Sequence, residues 1–236
     1  MDFMLYHHLG MGDHIIHHGI VRRLYEQKTF TKFKLITKKH YADNVRFMYS
    51  DLENLDVIEV QDDNEANQIL QKHGGEKLKH FVPFGRPDLF TEEAAYITLG
   101  FNINDRYDYF HIERDLEREN FVYNKIIDFD GDYIFIADDP NRNFTINDTK
   151  AKMDRNVKII RSSNLIEYTM FDLMKVIENA LDSHTMYSAF MTLIDCMGPR
   201  FSKLYIHESY IGKIYPTWPN DKKLINYWNK RNVQII

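Results

Sequence analysis

The sequence predicts an α/β fold of two strand–helix units, each built on a parallel sheet. Three observations predict it. Short apolar runs rich in aromatic and β-branched residues alternate with stretches of helical apolar spacing along most of the 236-residue chain. The first run, Phe3 to Leu9, passes at once into Gly10-Met11-Gly12-Asp13 and an apolar-faced helix. The alternation starts afresh at Asp132-Tyr133-Ile134-Phe135-Ile136-Ala137, after a charged and aromatic stretch. Strands alternating with helices at this pace imply parallel sheets covered on both faces.

In the first unit, the glycine turn ends a buried strand, and Ile15, Ile16, Gly19, Ile20 and Leu24 recur on one helix face. Phe33 to Thr37 reads as a second strand, Ala42 to Met48 as a short helix and Val57 to Val60 as a third strand. Asn64 to Lys72 is helical in pattern, with Gly74-Gly75 as its stop signal. A fourth strand is expected over Leu78 to Phe84, closed by Pro83, Gly85 and Pro87, and a helix over Glu92 to Leu99.

Residues 105–125 carry Phe110, Ile112, Leu116 and Phe121 at loose helical spacing and contain no proline, glycine or serine, so they read as a bridge between closely packed units. The expected division is 1–125 and 126–236. In the second unit, the strand at 132–137 runs into the polar turn Asp138-Asp139-Pro140-Asn141-Arg142-Asn143. Lys158 to Ile160 is a strand followed by the polar loop Arg161 to Asn164, and Met170 to Leu181 an amphipathic helix. A short segment at Ser183 to Tyr187 leads to Ser188, which opens another helix; Leu204 to His207 is the last clear strand. Lys222 to Lys230 reads as a final helix packing back across the first unit.

Composition narrows the partners. A net charge of −5 without a long basic run argues against nucleic acid or an anionic membrane surface. A single cysteine, Cys196, excludes an internal disulfide and suits a reducing, cytoplasmic setting. No stretch reaches the roughly 20 apolar residues that span a bilayer. The strand-like start, with no basic segment or small-residue cleavage site, reads as lacking a signal peptide.

The chemistry-bearing motifs begin with the opening turn. Asp13 falls in the first turn of its helix, beside unpaired amides and the positive dipole end; it either caps that helix or is presented to a ligand that the glycines let approach. The position that a dinucleotide fingerprint gives to its third glycine holds Ile15, so a nicotinamide-type oxidoreductase is disfavoured. His14 and His17 lie three apart and could share a metal, but no cysteine or carboxylate completes a known spacing. Asp128-x-Asp130-Gly131-Asp132 begins like a calcium loop, yet Tyr133 stands where glycine is needed; it reads as a charged turn before a strand.

Strand, Gly10-x-Gly12-Asp13 and apolar helix together resemble the opening of GT-B-fold glycosyltransferases of the heptosyltransferase type. The second half is similar to their donor-binding domain: a strand ending in Asp138-Asp139-Pro140-x-Arg142, then Phe171 to Ala180, His184, and Ser188-x-Phe190-x-x-Leu193-Ile194-Asp195. The resemblance implies two Rossmann-like units facing a cleft, the first on the acceptor side and the second binding the donor. It implies sugar transfer from a nucleotide sugar to a hydroxyl of a glycan acceptor, with no cofactor and no bound metal, and with Asp13 as general base. Ser188, at a helix start, would meet the donor diphosphate, and Arg142 would stabilise the leaving group or else be a surface arginine. Glu178 would bind the ribose or be a solvated helix acid; His184 would be a donor-site residue or a satisfied polar group. Gly10, Gly12 and Asn164 complete the donor-binding set. The chain departs from that pattern at Tyr187, where those enzymes carry an acidic residue before the hydroxyl residue. A non-catalytic nucleotide-sugar binder of the same fold is the alternative.

Overall fold

A computed structural model describes residues 2–7, 10–27, 30–78, 91–140, 143–153, 155–198, 203–207 and 233–235. The chain divides into two compact units, Met1–Glu113 and Arg114–Ile236.

In the first unit, four strands pair in parallel in the order β3-β2-β1-β4, with β1 Asp2–His7, β2 Lys32–Lys38, β3 Leu55–Val60 and β4 Glu76–Leu78. The register sets Phe3 opposite Phe33 and Leu5 opposite Leu35, so the alternate residues Met4, Tyr6 and Ile36 share the other face. There they meet Val60, Ala66, Ile69 and Leu70, the last three from α4 Asp63–His73. That helix starts where Asp62 accepts hydrogen bonds from the Asn64 and Glu65 amides, at 2.8 and 3.0 Å, and stops at Gly74, whose φ of +73° lies in the left-handed region. Helix α3, Ala42–Met48, follows β2 as expected.

The helix after the glycine turn is two pieces, α1 Met11–Ile16 and α2 His18–Glu26, interrupted at His17. Ile15, Ile16, Gly19 and Ile20 are buried, as their spacing predicts, and Leu24 is half-buried. Gly19 is required by packing: a Cβ there would lie 2.3 Å from the Asp105 carbonyl oxygen and 2.9 Å from the Tyr96 hydroxyl. Those neighbours belong to α6 Asp105–Asp108 and α5 Thr91–Thr98. Most of the expected fourth strand, from residue 79 onward, lies outside the described residues.

In the second unit, five parallel strands run in the order β6-β5-β7-β8-β9: β5 Tyr133–Ala137, β6 Lys158–Arg161, β7 Asp182–Thr185, β8 Lys203–Ile206 and β9 Val233–Ile235. Helix α7, Leu116–Ile126, belongs here, so the division falls twelve residues before the boundary read from the sequence. Its residues are tied within this unit: Arg118 pairs with Asp172 at 3.1 Å, and Arg114, just before the helix, pairs with Glu119 and Glu178.

The expected helix over 170–181 shortens to α9 Met174–Glu178, although Phe171, Leu173, Met174, Val176, Ile177 and Ala180 are buried as the amphipathic pattern requires. Thr169 and Asp172 exchange bonds with each other's amides, at 2.9 and 3.1 Å, and hold residues 169–172 in a turn. Helix α8, Asp148–Lys152, brings Ala151 to Ile134, Ile136, Ile146 and Met186 on one face of the sheet. The expected helix over Lys222 to Lys230 lies outside the described residues.

Candidate functional site

Strand order locates where each unit can hold a ligand. In an open parallel sheet the chain leaves one strand toward one side and a later strand returns on the other; the loops splay apart there and open a crevice at the strands' carboxyl ends. In the first unit that point lies between β1 and β4, and in the second between β5 and β7. The Gly10-to-Asp13 turn follows β1, the Asp138 loop follows β5, and Ser188 follows β7. Both glycine turn and serine thus stand at the switch point of their own sheet.

At the first switch point, Gly10 precedes α1, and Asp13 Oδ2 accepts the Gly10 amide at 2.7 Å. Gly12 and Asp13 are half-buried within the first helical turn. Gly10 has φ −110° and ψ −173°, an extended backbone open to any residue. Among the described residues, a Cβ there would meet only the Tyr41 hydroxyl at 3.7 Å and Asp13 Oδ2 at 3.9 Å, both ordinary contacts. Neither its conformation nor its described neighbours call for glycine, which leaves room beside the carboxylate among the described residues. The histidines that follow have structural partners: His14 Nε2 lies 2.9 Å from Thr37 Oγ1. His18 is buried, stacked on Tyr49 and bonded by Arg22 Nε at 2.7 Å; burial first, then the Arg22 charge, pushes its pKa down to about 3. Arg22 also grips Asp51 with two bonds of 2.8 Å. Burial opposes the Asp51 charge, but the hydrogen bonds and charge of Arg22 outweigh it and hold its pKa below the usual carboxylate range.

At the second switch point, Ser188 is the N-cap of α10 Ala189–Met197 and makes no capping hydrogen bond. Its hydroxyl is buried without a partner, and so is that of Thr185 at the end of β7. Serine at an N-cap usually accepts a bond from the helix's own amides. Here the hydroxyl and the first amides of a nine-residue helix are left for something else. Asp138, which follows β5, is held in place: it accepts the Ile146 amide at 2.9 Å, Ser163 Oγ at 3.2 Å and Arg161, which also bonds the Ile146 carbonyl at 2.8 Å. Asn164 ends the 3-10 turn Ser162–Asn164 that these bonds tie to β5, and it is exposed.

His184 lies in β7, buried, with its Nδ1 3.0 Å from His207 Nε2 and its ring stacked on Tyr205. Burial chiefly, and then the Arg155 charge, lowers its pKa to about 4; burial and the His184 charge lower that of His207 to about 4. Both are neutral near neutrality. By register His184 shares the face of Ile136, whereas Thr185 turns to the opposite face with Ala137 and Ile206. Glu178 is not brought to this place: α9 ends there, before β7 begins at Asp182, so it lies toward the amino ends of the strands, away from Ser188 at their carboxyl ends, bonded to Arg114 at 2.9 Å. Arg142 lies outside the described residues.

Thr185 escaped the sequence reading because β7 is Asp182-Ser183-His184-Thr185, four polar residues with no strand signature, all buried. One signal was present. The strand–helix alternation leaves a gap there that only a strand can fill, and a polar strand in a central position is costly unless used.

No family model and no curated protein matches the chain. Its coordinates do align with solved structures. E. coli ADP-heptose LPS heptosyltransferase II superposes with a TM-score of 0.52 at 8% identity, over 100% of this chain and 90% of that one. A glycosyl transferase family 9 structure from Veillonella parvula gives 0.49 at 10% identity, over 87% of this chain and 80% of that one. The two parallel sheets and their order thus make this a heptosyltransferase-like, GT-B-type glycosyltransferase fold.

Proposed function

We propose that the chain is a glycosyltransferase that moves a sugar from a nucleotide-sugar donor to a hydroxyl acceptor. The second unit takes the donor and the first the acceptor. The observation that carries this reading is the start of α10 at the β5/β7 switch point, where the N-cap Ser188 hydroxyl is buried and unpaired and the Thr185 hydroxyl, three residues earlier at the end of β7, is too. Such a group of donors suits a diphosphate. As the acceptor oxygen attacks the anomeric carbon, its proton passes to the Asp13 carboxylate. The bond from that carbon to the nucleoside diphosphate breaks, and the leaving oxygen keeps the electron pair. Amides and hydroxyls at α10 stabilise the negative charge that gathers there, with Arg142 as a further cation. Asn164 lines the donor side, and Gly10 and Gly12 give the reacting groups room.

Asp13→Asn should lower kcat at least about 100-fold, the usual scale for a positioned base, with nucleotide affinity kept. Ser188→Ala and Thr185→Val should each raise the donor KM about tenfold, as expected for one lost bond to a charged group. Turnover should be insensitive to chelators, because the charge is met by protein donors. Equal turnover by Asp13→Asn rejects the assigned base. The alternative, a non-catalytic nucleotide-sugar binder, is favoured by one observation: the Asp13 carboxylate already bonds its own cap amide at 2.7 Å. Donor binding without hydrolysis or transfer would select it.

A further inference from the structure

We infer that Tyr41 forms the second wall of the acceptor site and that the acceptor presents two neighbouring hydroxyls, one to Asp13 and the other to the Tyr41 phenol. This rests on the proposed glycosyl transfer to a glycan acceptor and adds to it a second recognition point, a hydroxyl adjacent to the reacting one and read by Tyr41.

A small atom set where a Gly10 Cβ would be touches both the Tyr41 hydroxyl, at 3.7 Å, and Asp13 Oδ2, at 3.9 Å. Among the described residues the two polar groups therefore flank one gap beside the Gly10 turn, on the β2 side of β1. Tyr41 is carried there by the 3-10 turn Lys39–Tyr41, which directly follows β2, the strand paired with β1. That turn buries none of its residues, so Tyr41 is not a core anchor.

Its side chain is half-buried, with the ring 3.9 Å from that of the exposed His40. Among the described residues its hydroxyl has no hydrogen-bond partner, whereas a tyrosine held for structure commonly ties its hydroxyl down. An aromatic face beside a carboxylate matches a sugar ring in both of its aspects. The ring packs against C–H groups, while phenol and carboxylate meet adjacent hydroxyls, which stand on neighbouring carbons at hydrogen-bonding reach. A simple monohydric alcohol would use Asp13 alone and leave the phenol idle.

The test is saturation-transfer NMR with methyl hexopyranosides and their monodeoxy analogues, on the full chain, alongside donor turnover and thermal melts. The wild type should show saturation of the pyranosides and about tenfold weaker binding of the deoxy analogue that lacks the second hydroxyl. Tyr41→Phe should lose that discrimination between diol and deoxy sugar, and Tyr41→Ala should lose sugar contact, both with unchanged melting and unchanged donor affinity. If no pyranoside binds, or Tyr41→Phe discriminates as the wild type does, while nucleotide sugars are still turned over, the inference falls and glycosyl transfer stands. If nucleotide sugars are neither bound nor turned over, the functional reading falls and takes this one with it.

Discussion

Gly10 shows how one residue separates structural need from functional need. Its extended backbone and the ordinary contacts that a Cβ would make mean that alanine fits the fold. Gly10→Ala should therefore cost no more than about 1 kcal/mol, the scale of an N-cap change, while filling the gap between Asp13 and Tyr41. Thermal melts should shift little and transfer should fall sharply; full activity would show that the gap is not used. Asp13 is the converse case. Gly10-x-Gly12-Asp13 was legible in the sequence as a turn presenting a carboxylate, and its bond to the Gly10 amide satisfies the capping reading as well. Local chemistry of this kind is readable because three residues suffice to write it. The unpaired Thr185 hydroxyl was not, since its burial depends on strands distant in the chain.

At the scale of elements, helices set by local signals were the most legible. Ala42–Met48 is a helix over those residues, and α4 runs between the Asp62 cap and the Gly74 stop. The stretch at 170–181 kept its buried face but lost helix length, because the Thr169–Asp172 turn competes for the amides of the first turn. Gly19 gives this scale its prediction. A methyl group there would run into the Asp105 carbonyl, backbone that cannot move aside as a flexible side-chain tip can. Gly19→Ala should destabilise the first unit by about 1–3 kcal/mol or more, seen as a lower denaturant midpoint. An unchanged midpoint would refute the close approach of α2 to α6.

Across the whole molecule, each unit carries buried histidines that folding keeps neutral: His18 in the first, and His184 with His207 in the second. Their folded pKa values, about 3 for His18 and about 4 for the pair, lie below the ordinary 6.5 that the unfolded chain shows. Between those values the unfolded state binds more protons, so stability is fully present above 6.5 and falls as the pH drops toward the folded values. Each pKa unit is worth about 1.4 kcal/mol per group, large against a net stability of about 5–15 kcal/mol. Melting temperatures should fall from about pH 7 to about pH 5, above the range where carboxylates titrate. A flat profile there would show that these histidines are not held neutral.

The sequence by itself determined much of the alternation of strands and helices, the glycine turn with its aspartate, and the ends of α3 and α4, because spacing, capping and turn chemistry are settled within a few residues. Tertiary structure alone decided that Asp182 to Thr185 is a central strand, since its backbone bonds come from β5 and β8 rather than from its own neighbours. Strand order was decided there too, and with it the switch points that gather Ser188, Thr185 and the Asp138 loop and that leave Glu178 with Arg114. Pairing between distant segments is a long-range choice, and no short window of residues contains it.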